Sequence, residues 1–141
     1  MTTSATPILI TWSAQLSVGI PSIDAQHQKL IGYINELHTA MNSGQGSKTV
    51  GDILDALVAY TVSHFSFEER LLRNSKYPGI DAHLSEHAKL VDSVKALQQE
   101  HRAGRLAVSV RVMSFLKSWL TDHILGVDKR YTAHLQAAGV K

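Results

Sequence analysis

The sequence predicts an all-α fold, an up-and-down four-helix bundle preceded by an irregular N-terminal arm. Three observations carry this reading. Apolar residues recur at steps of three and four in four segments of similar length, short Gly- or Pro-containing stretches separate those segments, and no alternation with period two is sustained. The arm is assigned to residues 1–21 and the bundle to residues 22–141, as a single domain.

The arm contains Pro7, Trp12, Gly19 and Pro21 and no helical period, and Trp12 is expected to anchor it on the body. The first helix is predicted from about Ser22, its expected cap, to Met41, with Ile23, His27, Leu30, Ile34 and Leu37 on one stripe. Asn42–Gly46 is its stop. The second runs from about Thr49 to Asn74 with Leu54, Leu57, Thr61, His64, Glu68 and Leu71 aligned, and Tyr77-Pro-Gly breaks it. Asp81 is expected to cap a third helix reaching Arg102, striped by His83, His87, Leu90, Val94 and Leu97. A fourth, from about Leu106, carries Val112, Leu116, Trp119, Leu120, His123 and Val127.

Bulk properties narrow the function. A chain of 141 residues can bury a core without staples. Having no cysteine, it can form neither a disulfide nor a thiolate metal site, which fits a reducing, cytoplasmic setting. A net charge of +2 with dispersed Lys and Arg gives no support for nucleic-acid binding. The N-terminus has no signal-peptide pattern, and no apolar run approaches the ~20 residues of a membrane span. Eight histidines, however, exceed what a bundle core needs.

Five of them lie on inward stripes together with two carboxylates, or in the case of Asp128 just beyond one. Residues four apart on a helix differ by about 40° and sit one turn above each other, so His64 and Glu68 face the same way, as do His83 and His87. His27 joins from the first helix and His123 from the fourth. Five imidazoles and the carboxylates of Glu68 and Asp128 therefore converge. A lone H-x-x-x-H is usually a surface pair, and a lone inward histidine is more often a satisfied core residue. Together they carry a cost. An unsatisfied buried polar group costs about 1–3 kcal/mol and a buried carboxylate more, so the set would consume a stability of about 5–15 kcal/mol unless paired. No cation on the inner stripes pairs them. A metal pair would, and histidine with carboxylate suits iron in a bundle interior.

His123 and Asp128 are five apart, a rotation of about 140° on a regular helix. That predicts an irregular turn near Ile124–Asp128, with a wide i→i+5 turn as the expected device and Gly126 easing it. His38, His101 and His134 fall about three or more turns from the cluster and are read as bundle-end or surface residues. Trp119, Phe65 and Phe67 are read as core or helix-contact residues, and Glu69 and Glu86 as solvated outer neighbours.

The order of His27, His64-Phe-Ser-Phe-Glu68, His83-Leu-Ser-Glu-His87 and His123-Ile-Leu-Gly-Val-Asp128 resembles the hemerythrin family closely. Val18-Gly-Ile-Pro-Ser-Ile-Asp-Ala-Gln-His27 and Trp119-Leu-Thr-Asp-His123 resemble the bacterial members. The likeness spans about residues 12 to 135. It implies two iron ions (Fe2+/Fe3+) bridged by Glu68, Asp128 and an oxo or hydroxo group. His83, His87 and His123 would complete one iron. His27 and His64 would complete the other, leaving it open to dioxygen.

Neutral imidazoles favour binding oxygen over activating it. The formal charge of the site is the same before and after oxygen takes two electrons and the bridge proton, so no charge must cross a low-dielectric interior. Leu120, one turn before His123, and Ile31, one turn after His27, are candidate walls of a dry oxygen pocket. The expected function is reversible oxygen binding for transport, storage or delivery, without catalysis, and the early end of the chain predicts no fused signalling domain. The alternatives are an oxygen or redox sensor, a diiron enzyme reducing peroxide or nitric oxide, and an iron store. A metal-free phosphotransfer bundle fits poorly, because the histidines cluster inward in pairs.

Overall fold

The computed structural model describes residues 8–44, 46–104 and 110–141, except the side chain of Val110. Four long helices form a bundle: α1 (Pro21–Asn42), α2 (Ser47–Asn74), α3 (Ile80–Arg102) and α4 (Val110–Gly126). A 3-10 turn at Asp128–Tyr131 leads into a short α5 (Thr132–Ala137), and no strand occurs among the described residues. Helix α2 packs against α1 and α3, and α1 also packs against α4. Trp119 joins α4 to α3 by donating its indole N–H to the Leu90 carbonyl at 3.1 Å. The expected start of the fourth helix at Leu106 lies outside the described residues.

Helix starts differ slightly from expectation. Pro21 occupies the first turn of α1 and Ile20 the cap position, so Ser22 is not the cap. Proline suits that place because its fixed φ is already helical and its missing N–H would have had no partner. Gly79, not Asp81, precedes α3, and Asp81 sits in the first turn, where a negative charge meets the positive end of the helix. The expected ends are reached within a residue, and Gly44 (φ 67°) and Gly104 (φ 72°) follow α1 and α3 in the left-handed conformation that stops a helix.

The arm is built into the core. Ile10, Leu16, Val18 and Ile20 are buried in the main cluster, and Trp12 packs partly buried against it, as expected. Asn35 clamps the arm: its amide accepts from the Ile10 N–H and donates to the Ile10 carbonyl, both at 2.9 Å. Asp24 accepts from the Val18 N–H at 2.8 Å and from the Ser17 hydroxyl. From the other end of the chain, Thr132 and Gln136 donate to the carbonyls of Val18 and Gly19. The Thr132 and Gln136 bonds tie the arm to α5.

The irregular turn falls where the His123–Asp128 spacing requires one, but its form is different. The Val127 N–H still bonds the His123 carbonyl at 2.9 Å, an ordinary four-residue step, so there is no wide turn. Val127 then opens its φ to −115° (ψ −54°), and the Arg130 N–H bonds back to its carbonyl at 3.2 Å. The helix ends and the chain tightens into a 3-10 turn. This redirects Asp128 inward, where it is fully buried.

Candidate metal centre

All seven polar residues singled out on the stripes are buried: His27, His64, Glu68, His83, His87, His123 and Asp128. Each of the four long helices supplies at least one, and the turn after α4 supplies Asp128. They form two overlapping groups in which one nitrogen or oxygen per residue lies within 4.8 Å of the others. One group is Glu68, His83, His87, His123 and Asp128; the other is His27, His64, Glu68 and Asp128.

The carboxylates divide their oxygens between the two histidine sets. Oε1 of Glu68 faces Nε2 of His83 (2.5 Å) and His87 (3.1 Å), whereas Oε2 faces Nε2 of His64 (3.2 Å) and His27 (3.8 Å). Oδ1 of Asp128 faces His123 (2.9 Å) and His83 (3.2 Å), and Oδ2 faces His27 (3.1 Å). Each carboxylate thus reaches both sides of the cage.

Many of these close atoms are not aligned as hydrogen bonds. Nε2 of His27, His64 and His123 and both oxygens of Asp128 are buried without a hydrogen-bond partner among the described residues. Native interiors leave few such atoms, each at a cost of about 1–3 kcal/mol. Lone-pair donors crowded around a common centre are what a cation satisfies. The cluster suits a metal site.

Without a cation the cage is held by protons. Burial by itself would lower the pKa of His27, but its contacts with Asp128 and Glu68 outweigh burial and raise it from 6.5 to about 9. His83 behaves in the same way and also reaches about 9. Burial wins at His64, which is pushed down. Burial opposes the charge on Glu68, yet four surrounding histidines hold its carboxyl well below the usual range. Asp128, disfavoured by burial and by the Glu68 charge, is likewise held low by His123, His27 and His83.

Residues around the cage orient it. Oε1 of Gln26 lies 2.6 Å from Nδ1 of His64, and Oε2 of Glu69 lies 2.8 Å from Nδ1 of His87. Glu69 is therefore not a free solvated neighbour: packing of α2 on α3 turns its carboxylate onto a cage histidine. Phe65 also touches the site, its ring stacked on His87 with centroids 3.8 Å apart. Tyr131, fully buried, donates its hydroxyl to Oε2 of Glu68 at 3.1 Å. Burial and the two carboxylates push this phenol's pKa well above its ordinary value, so it is a fixed donor. Sequence reasoning missed Tyr131 and Gln26. The available signal was a tyrosine one turn beyond Asp128, since a buried phenol needs a partner.

The remaining candidates lie elsewhere. Leu120 and Ile31 are buried in the apolar cluster. His38, His101 and His134 stay out of the cage and contact Asn42, Ser47 and the Ser75 carbonyl, respectively. Among the described residues, no helix is long and apolar enough to cross a membrane.

Known proteins share both sequence and fold with this chain. The model of the hemerythrin HHE cation-binding domain matches residues 18–135. A bacteriohemerythrin of Stenotrophomonas maltophilia is 36% identical over 129 residues, covering 92% of this chain and 83% of that protein. One from Methylococcus capsulatus is 36% identical over 130 residues, covering 92% and 98%. The crystal structure of a wild-type hemerythrin superposes with a TM-score of 0.84 at 35% identity, covering 90% of this chain and 98% of that one. With its seven inward histidines and carboxylates, its bundle and these likenesses, the chain belongs to the hemerythrin family.

Proposed function

We propose that the cage holds two iron ions and binds dioxygen reversibly at one of them, for oxygen transport, storage or delivery. The observation that carries this reading is the division of the Glu68 and Asp128 oxygens between two histidine sets. A carboxylate whose two oxygens face different neighbours can serve two ions at once. His83, His87 and His123 would hold one ion and His27 and His64 the other, with Glu68 and Asp128 shared.

Iron supplies the electrons that make oxygen uptake a reversible redox event. The protein's part is to keep that event contained. Five imidazoles bring no charge of their own to the ions, so the two carboxylates set the charge of the cage. Tyr131 holds Oε2 of Glu68, while Gln26 and Glu69 hold the outer nitrogens of His64 and His87. Such outer partners fix ring orientation and tune metal affinity. Leu120 and Ile31 are assigned to the walls of the oxygen pocket, where buried apolar side chains exclude water and protons that would make oxidation irreversible.

The test is the absorption spectrum of iron-loaded, anaerobically reduced protein through repeated cycles of air and argon, with iron counted per chain. A band that forms in air and fades under argon, at two irons per chain, is the expected result. A single passage to the ferric form would overturn the carrier role in favour of a sensor or redox enzyme.

A further inference from the structure

Away from the seven-residue cage, a small cavity opens between the C-terminal turn of α1 and the N-terminal part of α4. It measures about 80 Å3 and is lined by Leu9, His38, Met41, Asn42, Met113 and Ser114. His38 follows His27 by eleven residues on α1, about 16 Å along the axis, so the cavity is separate from the cage. The chain has three methionines, and both that follow Met1 line this space.

His38 carries the informative defect. Its Nδ1 is buried and has no hydrogen-bond partner among the described residues, while Nε2 lies 3.1 Å from the side-chain amide of Asn42. Asparagine can present either end of its amide to the ring. With the Asn42 oxygen turned to Nε2–H, the ring is held in the tautomer whose Nδ1 lone pair is free. His38 and Met41 are three residues apart and share a helix face, and Met113 meets them from α4.

We propose that this cavity is a site for monovalent copper, with Nδ1 of His38 and the thioethers of Met41 and Met113 as ligands. Size excludes an organic ligand, which needs roughly 300–1,000 Å3. Donor type selects the ion. Thioether sulfur is soft and favours Cu(I), whereas magnesium and calcium need oxygen and zinc takes thiolate, imidazole or carboxylate. Charge agrees, because one nitrogen and two sulfurs are neutral and a monocation costs less to bury among neutral ligands than a dication. Exposed Asn42 and Ser114 at the rim leave an entry path, and Asn42 supplies the outer hydrogen bond that orients the histidine. The rival occupant is an ordered water bonded to Nδ1.

Sulfur provides the test, since the cage contains none and the chain has no cysteine. Full-length protein with its cage iron-loaded would be titrated anaerobically with Cu(I) against bicinchoninate, and the copper complex examined by X-ray absorption. The expected result is one retained copper with two sulfur neighbours. Loss of an outer hydrogen-bond partner already weakens metal sites ~10–100-fold, so Met41→Leu or Met113→Leu should weaken retention by at least ~10-fold. These swaps nearly conserve volume and should preserve the fold, which far-UV circular dichroism would verify. Wild-type protein that surrenders its copper to the competitor, or a complex without sulfur neighbours, would leave the cavity to water and overturn the proposal. Unchanged retention in the folded double variant would do the same.

Discussion

The Tyr131 hydroxyl donates to Oε2 of Glu68 at 3.1 Å, tying the turn after α4 to the carboxylate that α2 places at the centre of the cage. Both residues are fully buried. The bond links two segments 63 residues apart. Because it reaches a carboxylate, its loss is felt beyond packing.

Tyr131→Phe keeps the ring and removes that bond. A hydrogen bond to a charged group contributes about 1.5–3 kcal/mol, so the metal-free variant should lose roughly that much stability in urea unfolding. An unchanged midpoint would mean that the phenol bond adds nothing net over the apolar ring.

Glu69 orients His87 from outside the cage, with Nδ1 and Oε2 2.8 Å apart. Glu69→Ala should weaken metal binding ~10–100-fold, as loss of such a partner generally does, and Glu69→Gln, which can still accept, should weaken it less. Competition with a chelator of known affinity measures both. Equal losses would assign the effect to charge instead of orientation.

The pH dependence has a definite sign. His27 and His83 are raised from 6.5 to about 9 in the folded, metal-free protein. A raised histidine contributes stability that is fully present below pH 6.5 and is lost as pH rises through about 9. His64 is lowered and acts only on the acid side of that window. The Tm of metal-free protein should therefore fall between pH 6.5 and 9. Metal must displace the same protons, so the Tm gain on loading should grow over that interval. Parallel curves for the two forms would contradict the proton-held cage.

Leu120→Ala tests the apolar wall. Truncating a buried leucine costs about 2–5 kcal/mol, which lowers Tm wherever the residue sits in a core. A residue that shields the bound oxygen should in addition speed oxidation of the loaded protein in air. Ile53→Ala, in the apolar core about three turns before His64 on α2, is the control: it should lower Tm without that acceleration.

How far each element was readable depends on the range of the interaction that places it. The pairs His64–Glu68 and His83–His87 were legible because i,i+4 spacing puts both side chains on one helix face whatever surrounds it. The need for an irregular turn before Asp128 was legible from the same geometry, applied to a step of five. Its form was not, since a wide turn and a helix break both solve the rotation. The close of the arm, with Asn35 on Ile10 and Thr132 on Val18, has no local period to reveal it. The same holds for Ser22 and Asp81: each has the side chain of a cap, but with Ile20 and Gly79 at the cap positions the helices begin two residues earlier.

The order of residues by itself determined the helices, their inward faces and the convergence of five histidines and two carboxylates, because periodicity within one helix decides which way a side chain points. Tertiary structure decided which carboxylate oxygen meets which histidine, and it brought Tyr131, Glu69, Gln26 and Phe65 to the cage. Those contacts depend on the rotation and height of one helix against another. Packing sets these quantities, and no single helix contains them.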